Sequence, residues 1–258
     1  MIEHGHFRGT AALGDATYHA DALLTADGEF RLYVGGLLDS PPGGMGFVGE
    51  LFNPEESAQF SGQLEIDGEQ GSGDGLVIGE VCAAPGVGRF CDESASAEVS
   101  ISGMSNDGLA GEVRITTGEG EEIWLLDLAA WSAYYELNAH PASPSGTYQE
   151  ELAQFAQAGD VIISIDDAGR LFFQAAASGC TGNGALSPHL NGEFYVFDVD
   201  LIIENCDASH KFLNNEYSGL ATETQNSYWD YDDWLLIFVS TPVGIESPAA
   251  ITMYANRL

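Results

Sequence analysis

The densest group of side chains that could do chemistry lies at residues 228–234, which read Tyr-Trp-Asp-Tyr-Asp-Asp-Trp. Aromatic rings stack on sugar rings and other apolar ligand faces, while carboxylates accept hydrogen bonds from hydroxyl groups or bind a hard cation. The alternative, which we prefer, is a loop whose rings cover the end of the fold and whose acids stay in water. If the segment binds a ligand, the binding residues are Tyr228, Trp229, Asp230, Tyr231, Asp232, Asp233 and Trp234.

Paired carboxylates elsewhere could act as an acid and a base. Asp198 and Asp200 occupy alternate positions of a predicted strand, about 7 Å apart, which is near the separation in inverting glycosidases. Their neighbours on the opposite face are apolar, so a solvated outer sheet face is the better explanation. The chain has no G-x-S-x-G, H-E-x-x-H or dinucleotide-binding motif, and its histidines are dispersed. We therefore name no catalytic residue and no metal ligand, and a non-enzymatic protein is the simpler explanation.

Four cysteines form an even set, with two in each half of the chain: Cys82, Cys91, Cys180 and Cys206. Three connectivities are possible, and the simplest pairs Cys82 with Cys91 and Cys180 with Cys206. The alternative is four reduced thiols, and neither spacing is a CxxC metal or redox motif. Disulfides would indicate an oxidising compartment, the periplasm or the exterior. The first residues lack a basic region and an apolar region, so we expect any signal peptide to have been removed.

Charge is the outlying property of the composition, because 40 Asp and Glu stand against 7 Lys and Arg, a formal net charge of −33. Such a charge repels phosphate groups, which argues against nucleic acid and anionic membrane surfaces as partners. No segment reaches the roughly 18 consecutive apolar residues of a transmembrane helix. A solvated surface suited to a salty environment explains the acidity, because the carboxylates are scattered and not grouped in ligand loops. We expect no cofactor, with calcium as the alternative.

The strand pattern is clearest in the second half of the chain. Apolar residues occupy every second position from Tyr195 to Ile203, with acids between them, which is the period of a strand with one dry face. The preceding Asn191-Gly192 pair predicts a two-residue type I′ hairpin turn. Similar patterns predict eight strands, one near residue 147 and others at 161–166, 170–176, 184–187, 194–204, 217–224, 234–240 and 251–256. Eight strands with short connections suit an up-and-down barrel.

The first half alternates short strands with glycine-rich turns. An Asp27-Gly28 turn and residues 106–108 predict hairpins, and residues 123–131 are apolar enough for a central strand. Residues 68–75, Gly-Glu-Gln-Gly-Ser-Gly-Asp-Gly, are interpreted as a flexible acidic connector, because they lack the Lys-Ser/Thr ending of a phosphate-binding loop. Two prolines mark a linker at residues 137–145. We therefore predict a barrel-like domain at residues 1–136, with a disulfide-stapled insertion, and an eight-stranded barrel at residues 146–258.

The two halves show a weak repeat, which supports two similar domains in tandem. Residues 22–33 correspond to 161–173, residues 109–113 to 217–221, and residues 123–126 to 234–237. Within the second half, the order Gly-Thr-Tyr, Ile-Asp-x-x-Gly-Arg-Leu, Ser-Gly-Cys-Thr-Gly-Asn-Gly, Asn-Cys and Tyr-Ser-Gly-Leu-Ala resembles the small lipocalin-like or avidin-like β-barrel domains of bacterial envelope lipoproteins. The resemblance covers residues 145–258 and implies a fold. Its motifs are turn and strand residues, so it implies no catalytic residue and no biotin site.

The predicted fold is therefore all-β, with two tandem antiparallel lipocalin-like up-and-down β-barrels. The leading functional hypothesis is a non-enzymatic binding or interaction module of the bacterial cell envelope or exterior. Its contact surface would be a barrel mouth or residues 228–234, and its partner a small hydrophobic or carbohydrate ligand or another envelope protein. One alternative is a hydrolase or isomerase that acts on a polysaccharide or lipid. Another is a structural subunit that assembles through strand edges.

Overall fold

The computed structural model describes residues 4–37, 58–79, 94–105, 108–117, 120–131, 137–150, 161–208, 214–225, 233–242 and 249–258. Their strands close into two antiparallel barrels of eight strands each, in which every strand pairs with its neighbours in sequence. The predicted all-β fold with two tandem up-and-down barrels is therefore confirmed. The chain divides into two compact units, Met1–Ser132 and Ala133–Leu258. In the described residues, no helix is long and apolar enough to cross a membrane.

The first barrel consists of eight strands: β1 (Gly5–Leu13), β2 (Ala16–Leu24), β3 (Glu29–Leu37), β4 (Ala58–Asp67), β5 (Gln70–Gly79), β6 (Ser94–Ser105), β7 (Gly108–Thr117) and β8 (Gly120–Ala130). It closes where β8 pairs with β1. Its interior is filled by one cluster of apolar side chains that includes Phe7, Phe30, Phe60, Trp124 and Leu126. This barrel is therefore packed with side chains along its length.

The second barrel consists of β9 (Gly146–Glu150), β10 (Val161–Ile165), β11 (Arg170–Ala175), β12 (Cys180–Pro188), β13 (Phe197–Glu204), β14 (Glu216–Gln225), β15 (Asp233–Ser240) and β16 (Ala250–Arg257). All eight predicted strands are present, and β9 closes the barrel against β16. Burial alternates along β13, as its sequence predicts. In β15 the continuous apolar run is buried on both faces, with Leu236 and Phe238 as inaccessible as Leu235 and Ile237.

The hairpins β2–β3 and β10–β11 have the same geometry, which gives the repeat a structural basis. In the first, Thr25 N donates to Glu29 O and Gly28 N donates to Thr25 O. The second has the equivalent bonds from Asp166 N to Arg170 O and from Gly169 N to Asp166 O. Both glycines have positive φ, 90° and 77°. The later correspondences are displaced by one strand, because residues 109–113 lie in the seventh strand of their barrel and residues 217–221 in the sixth.

Three local predictions were wrong. Residues 70–75 are not a connector but the first part of β5, which pairs with β4 through a tight turn that joins Asp67 to Gln70. Asn191 and Gly192 do have positive φ, but they belong to a 3-10 helix, His189–Gly192, in a longer connection between β12 and β13. The strand at residues 123–131 is not buried on both faces, since Leu125 is 57% exposed. The predicted insertion around Cys82 and Cys91 lies outside the described residues.

Candidate functional sites

The predicted ligand-binding segment at residues 228–234 lies mostly outside the described residues. Only Asp233 and Trp234 are described, as the first two residues of β15. They lie opposite Gln225 and Thr224, the last residues of β14. The connection that contains the segment therefore starts and ends at one end of the second barrel, and its role in binding stays a prediction.

The predicted disulfide between Cys180 and Cys206 is confirmed. It joins the first residue of β12 to the segment that follows β13. Two backbone amides support the segment, since Asp207 N donates to Ser178 O over 2.9 Å and Cys206 N donates to the Asn214 side chain over 3.1 Å. The partners predicted for the other pair, Cys82 and Cys91, are outside the described residues.

Asp198 and Asp200 lie on the outer face of β13, as the alternation predicts. Asp200 is exposed, whereas Asp198 is half-buried and its Oδ1 lies 2.6 Å from His189 Nδ1. The interior positions of the strand hold apolar residues such as Val199 and Leu201. The two carboxylates therefore belong to a solvated face, and Asp198 is engaged by a histidine and not aligned with Asp200 as an acid–base pair.

A polar cluster interrupts the apolar interior at one end of the second barrel. Glu223 continues the inward-facing series of β14, because it lies two residues beyond Ala221, and its side chain is 8% exposed. The hydroxyl of Tyr148 donates to Glu223 Oε1 over 2.7 Å, and the hydroxyl of Tyr195 donates to Oε2. The Arg257 guanidinium lies 3.8 Å from Oε1 and stacks over the Tyr148 ring at 5.6 Å. Three side chains thus converge on one carboxylate, and we call these four residues the Glu223 cluster.

Electrostatics keeps the two phenols of this cluster protonated. Burial raises the pKa of Tyr148, and the neighbouring Glu223 carboxylate raises it further. Burial and the hydrogen bond to Glu223 likewise raise the pKa of Tyr195. Both hydroxyls are therefore obligate donors to an acceptor carboxylate at physiological pH. The two hydroxyl hydrogen bonds therefore connect β9 and the segment before β13 to β14.

A second buried cluster lies on the first barrel, on the faces of β1 and β2 that point away from its interior. Asp21 has no exposed side-chain surface and accepts bonds from three cationic or imidazole groups. Arg8 Nε and His6 Nε2 lie 2.7 and 3.1 Å from Oδ1, and His19 Nε2 lies 2.8 Å from Oδ2. Arg8 also lies over the Trp131 ring, at 4.8 Å. The carboxylate is therefore surrounded by donors, which a buried charge requires.

The two central groups of this Asp21 cluster have shifted pKa values. Burial by itself raises the pKa of Asp21, but the Arg8 guanidinium and His19 outweigh it and hold the pKa well below its usual range. Burial lowers the pKa of His6, although Asp21 offsets part of the effect. His6 is therefore neutral and donates through Nε2, and in the described part of the chain no partner meets its buried Nδ1.

A polar groove of about 630 Å³ crosses the outer face of the first barrel from β4 to β7. Register explains its lining, because the residues that alternate with the apolar interior positions meet across the strands: Gln63 and Glu65 of β4, Ser72 and Asp74 of β5, Glu98 and Ser100 of β6, and Glu112 and Arg114 of β7. Arg114 is held by Glu112 at 3.0 Å and by Glu121 at 2.7 Å. The groove thus offers four carboxylates, one guanidinium, an amide and two hydroxyls on rigid strands.

Glycines on the inner face of β5 help to shape this groove. Gly71, Gly73 and Gly75 occupy the inward positions that alternate with Ser72 and Asp74. A Cβ at Gly75 would come within 2.7 Å of the Phe60 ring, and one at Gly73 would overlap the carbonyl oxygen of Gln63. Because β5 contributes no inward side chain here, its backbone lies close to β4 and to the Phe60 ring.

Sequence reasoning missed all three sites, although each has a local signal. His6 and Arg8, like His19 and Asp21, occupy alternate positions, so each pair had to share a strand face. Glu223 extends the alternating series from Tyr217, which marks an acid on an inward face. The groove is a run of polar residues at alternate positions in four consecutive strands. The sequence does not show which strands are neighbours or what register they adopt.

Comparison with known proteins gives little further information. No family model matches the chain, and no curated protein matches it. Among solved structures, the chain is similar to a crystal structure described as a putative outer membrane protein from Bacteroides fragilis, with 11% identity, coverage of 99% of this chain and 97% of that chain, and a TM-score of 0.30. A similarity at this level carries no information on function.

Proposed function

We propose that the protein is a non-enzymatic binding module of the bacterial cell envelope or exterior, and that it binds a carbohydrate in the outer groove of its first barrel. The observation that carries the proposal is the groove itself, about 630 Å³ in volume and lined almost entirely by polar side chains. Ligand sites are concave, and polar groups on a scaffold fix the orientation of the ligand. Strands β4 to β7 supply both properties.

The barrel interior is the less suitable place for a ligand. In the first barrel, large buried side chains such as Phe7, Phe30 and Phe60 pack together across the interior. A small hydrophobic ligand would have to displace these contacts, and protein interiors are packed too densely to allow that cheaply. For the first barrel, the proposal therefore places the ligand at a surface site and not in a hydrophobic cavity.

The chemistry of the groove favours a ligand rich in hydroxyl groups. Carboxylates such as Glu65, Asp74 and Glu98 accept hydrogen bonds from hydroxyls, and Ser72 and Ser100 both accept and donate. The four carboxylates against one guanidinium disfavour anionic ligands, because like charges repel across the groove. A neutral oligosaccharide meets these conditions, and a basic segment of another envelope protein is the alternative partner.

The proposal also includes the cellular compartment of the protein and its relationship to known barrel families. The Cys180–Cys206 disulfide and the net charge of −33 support an oxidising, salty compartment, the periplasm or the exterior. The up-and-down topology of both barrels supports kinship with lipocalin-like or avidin-like domains. Residues 228–234 remain a proposed second contact surface.

The test is a titration with a panel of neutral oligosaccharides. Calorimetry measures the affinity, and amide chemical shifts locate the binding site. We expect shifts confined to β4–β7 and at least about a tenfold loss of affinity in Asp74→Asn and Glu98→Gln, because hydrogen bonds to charged groups are the strong ones. Asp200→Asn, an exposed carboxylate on β13, is the matched control and should bind normally. Shifts elsewhere, or binding that both groove variants retain, would refute the groove as the site.

One observation favours a second candidate, a polysaccharide hydrolase. Asp74 and Glu98 lie directly opposite each other on β5 and β6, both inside the groove. A facing pair of carboxylates is the minimum machinery for glycoside hydrolysis. Release of reducing ends from the same oligosaccharides, lost in both Asp74→Asn and Glu98→Gln, would establish the hydrolase and replace the non-enzymatic function.

A further inference from the structure

In the described residues, the second barrel is closed by its shortest ladders, and both belong to β9. Within the described residues, β9 lies opposite four residues of β10, Ile162–Ile165, and three residues of β16, Ala255–Arg257. By comparison, β12 and β13 face each other over eight residues, as do β14 and β15. Each ladder of a sheet contributes hydrogen bonds in proportion to its length, so among the described strands of this barrel β9 has the shortest backbone attachment.

The side chains and backbone of the segment around β9 attach it instead to the Glu223 cluster. Tyr148 belongs to β9, and its hydroxyl donates a hydrogen bond to Glu223 Oε1 on β14 over 2.7 Å. Pro144 O lies 2.9 Å from the same hydroxyl, and Ser145 O accepts a bond from Arg257. Ser143 donates to the Tyr195 hydroxyl. Residues 143–145, which directly precede β9, thus contact Tyr148, Tyr195 and Arg257, and these three side chains contact the Glu223 carboxylate.

We propose that residues 139–150 form a latch that closes the second barrel, and that the Glu223 carboxylate holds the latch in place. Two backbone bonds from Ala139 N to Gly192 O and from Leu258 N to Thr147 O complete the attachment, at 3.0 and 2.9 Å. Glu223 is the common acceptor for Tyr148 of the latch and Tyr195 of the barrel. Removal of its charge breaks the connection between them, whereas the long ladders β11 to β16 do not depend on it.

Opening of the latch would expose two strand edges. Without β9, the strands β10 and β16 each present a row of unpaired backbone groups, and such edges pair with extended segments of other chains. The closed barrel has no such edge in its described strands. The latch therefore determines whether these two strand edges are covered, which is a separate property from the groove on the first barrel.

Hydrogen exchange measured by mass spectrometry tests the latch in the full chain. In Glu223→Gln, we expect exchange in peptides that cover residues 139–150 to accelerate about 10- to 100-fold, because bonds to a buried charged acceptor are lost. The exchange rates of amides in β12 and β13 should stay within about twofold of wild type, because these amides exchange through local unfolding of a different part of the barrel. Glu216→Gln, an exposed carboxylate on the same strand, is the matched control and should leave exchange unchanged.

Two further variants keep the proposal falsifiable if Glu223→Gln folds poorly. Tyr148→Phe removes only the latch hydroxyl and should accelerate the same peptides. Gln149→Cys with Asn256→Cys joins positions that face each other on β9 and β16, and this disulfide should restore protection to the Glu223→Gln variant. Unchanged exchange in the latch, equal acceleration across the whole barrel, or no rescue by the disulfide would each overturn the proposal.

Discussion

Replacement of Asp21 by Asn is expected to destabilise the first barrel strongly. The carboxylate is inaccessible to solvent and accepts hydrogen bonds from Arg8, His6 and His19. An amide has the same shape, but it carries no charge and points a donor group at one of these donors. The substitution therefore removes the charged acceptor that the partly buried Arg8 guanidinium and the two imidazoles share, and loss of a charged hydrogen-bond acceptor in a protein interior is costly.

The magnitude follows from the chemistry of the cluster. Removal of one partner from a buried ion pair costs about 3–5 kcal/mol, and the side chains of Arg8 and Asp21 are only 19% and 0% exposed. For a chain of this size, roughly 2–4 °C of melting temperature correspond to each kcal/mol. We expect the unfolding transition of the first barrel to fall on the order of 10 °C.

The pH dependence of stability should also change. Because the folded pKa of Asp21 lies below its unfolded value, its contribution is present above about pH 4 and is lost as pH falls through the folded pKa. The folded pKa of His6 is lowered as well, so the unfolded chain takes up its proton first and stability falls as pH drops below about 6.5. The wild-type protein therefore loses stability on acidification, and Asp21→Asn removes the lower part of this dependence.

The assay is chemical denaturation monitored by tryptophan fluorescence, at several pH values between about 2 and 8, a range that includes the loss of the Asp21 contribution below about pH 4. Asp15→Asn is the matched control, because Asp15 is exposed in the turn between β1 and β2. It should unfold within about 0.5 kcal/mol of wild type, as surface substitutions do. A free energy of unfolding for Asp21→Asn within about 1 kcal/mol of wild type would refute the view that this buried carboxylate holds the cluster together.

Three further predictions concern the backbone, the disulfide and the charge. Gly28→Ala and Gly169→Ala should each cost about 1–3 kcal/mol or more in denaturant unfolding, because both need positive φ and a Cβ would overlap the carbonyl oxygens of Leu64 and Leu186. Gly14→Ala, also at positive φ but with open space around it, should cost less, and equal losses would contradict the role of the overlap. Reduction of the disulfide should lower the free energy of unfolding by about 3.5 kcal/mol, the value for a closed loop with a sequence separation of 26. A denaturation midpoint that does not change when reductant is added would contradict this prediction. With a net charge of −33, the melting temperature should rise as salt screens self-repulsion; a fall between 0.05 and about 1 M salt would show that repulsion does not limit stability.

Much of the architecture was determined by the sequence alone. The period of two along residues 195–203 predicted β13, and similar patterns predicted the other seven strands of its barrel. Pairing of Cys180 with Cys206 followed from simple proximity in the chain. These predictions succeeded because a half-buried strand must alternate apolar and polar side chains, whatever its neighbours are. The prediction for residues 70–75 was wrong for the converse reason. The inward positions of this strand are glycines, so the sequence shows no hydrophobic alternation there.

The candidate sites were decided only by the tertiary structure. Asp21 meets His6 through the pairing of β1 with β2, and Glu223 meets Tyr148, 75 residues away in the chain, across the interior of a closed barrel. The groove likewise exists only because four strands align Asp74 with Glu98 and its neighbours. Alternation assigns each residue to a face of its own strand, but the register between strands sets which residues meet, and that register is selected by burial of the whole barrel at once.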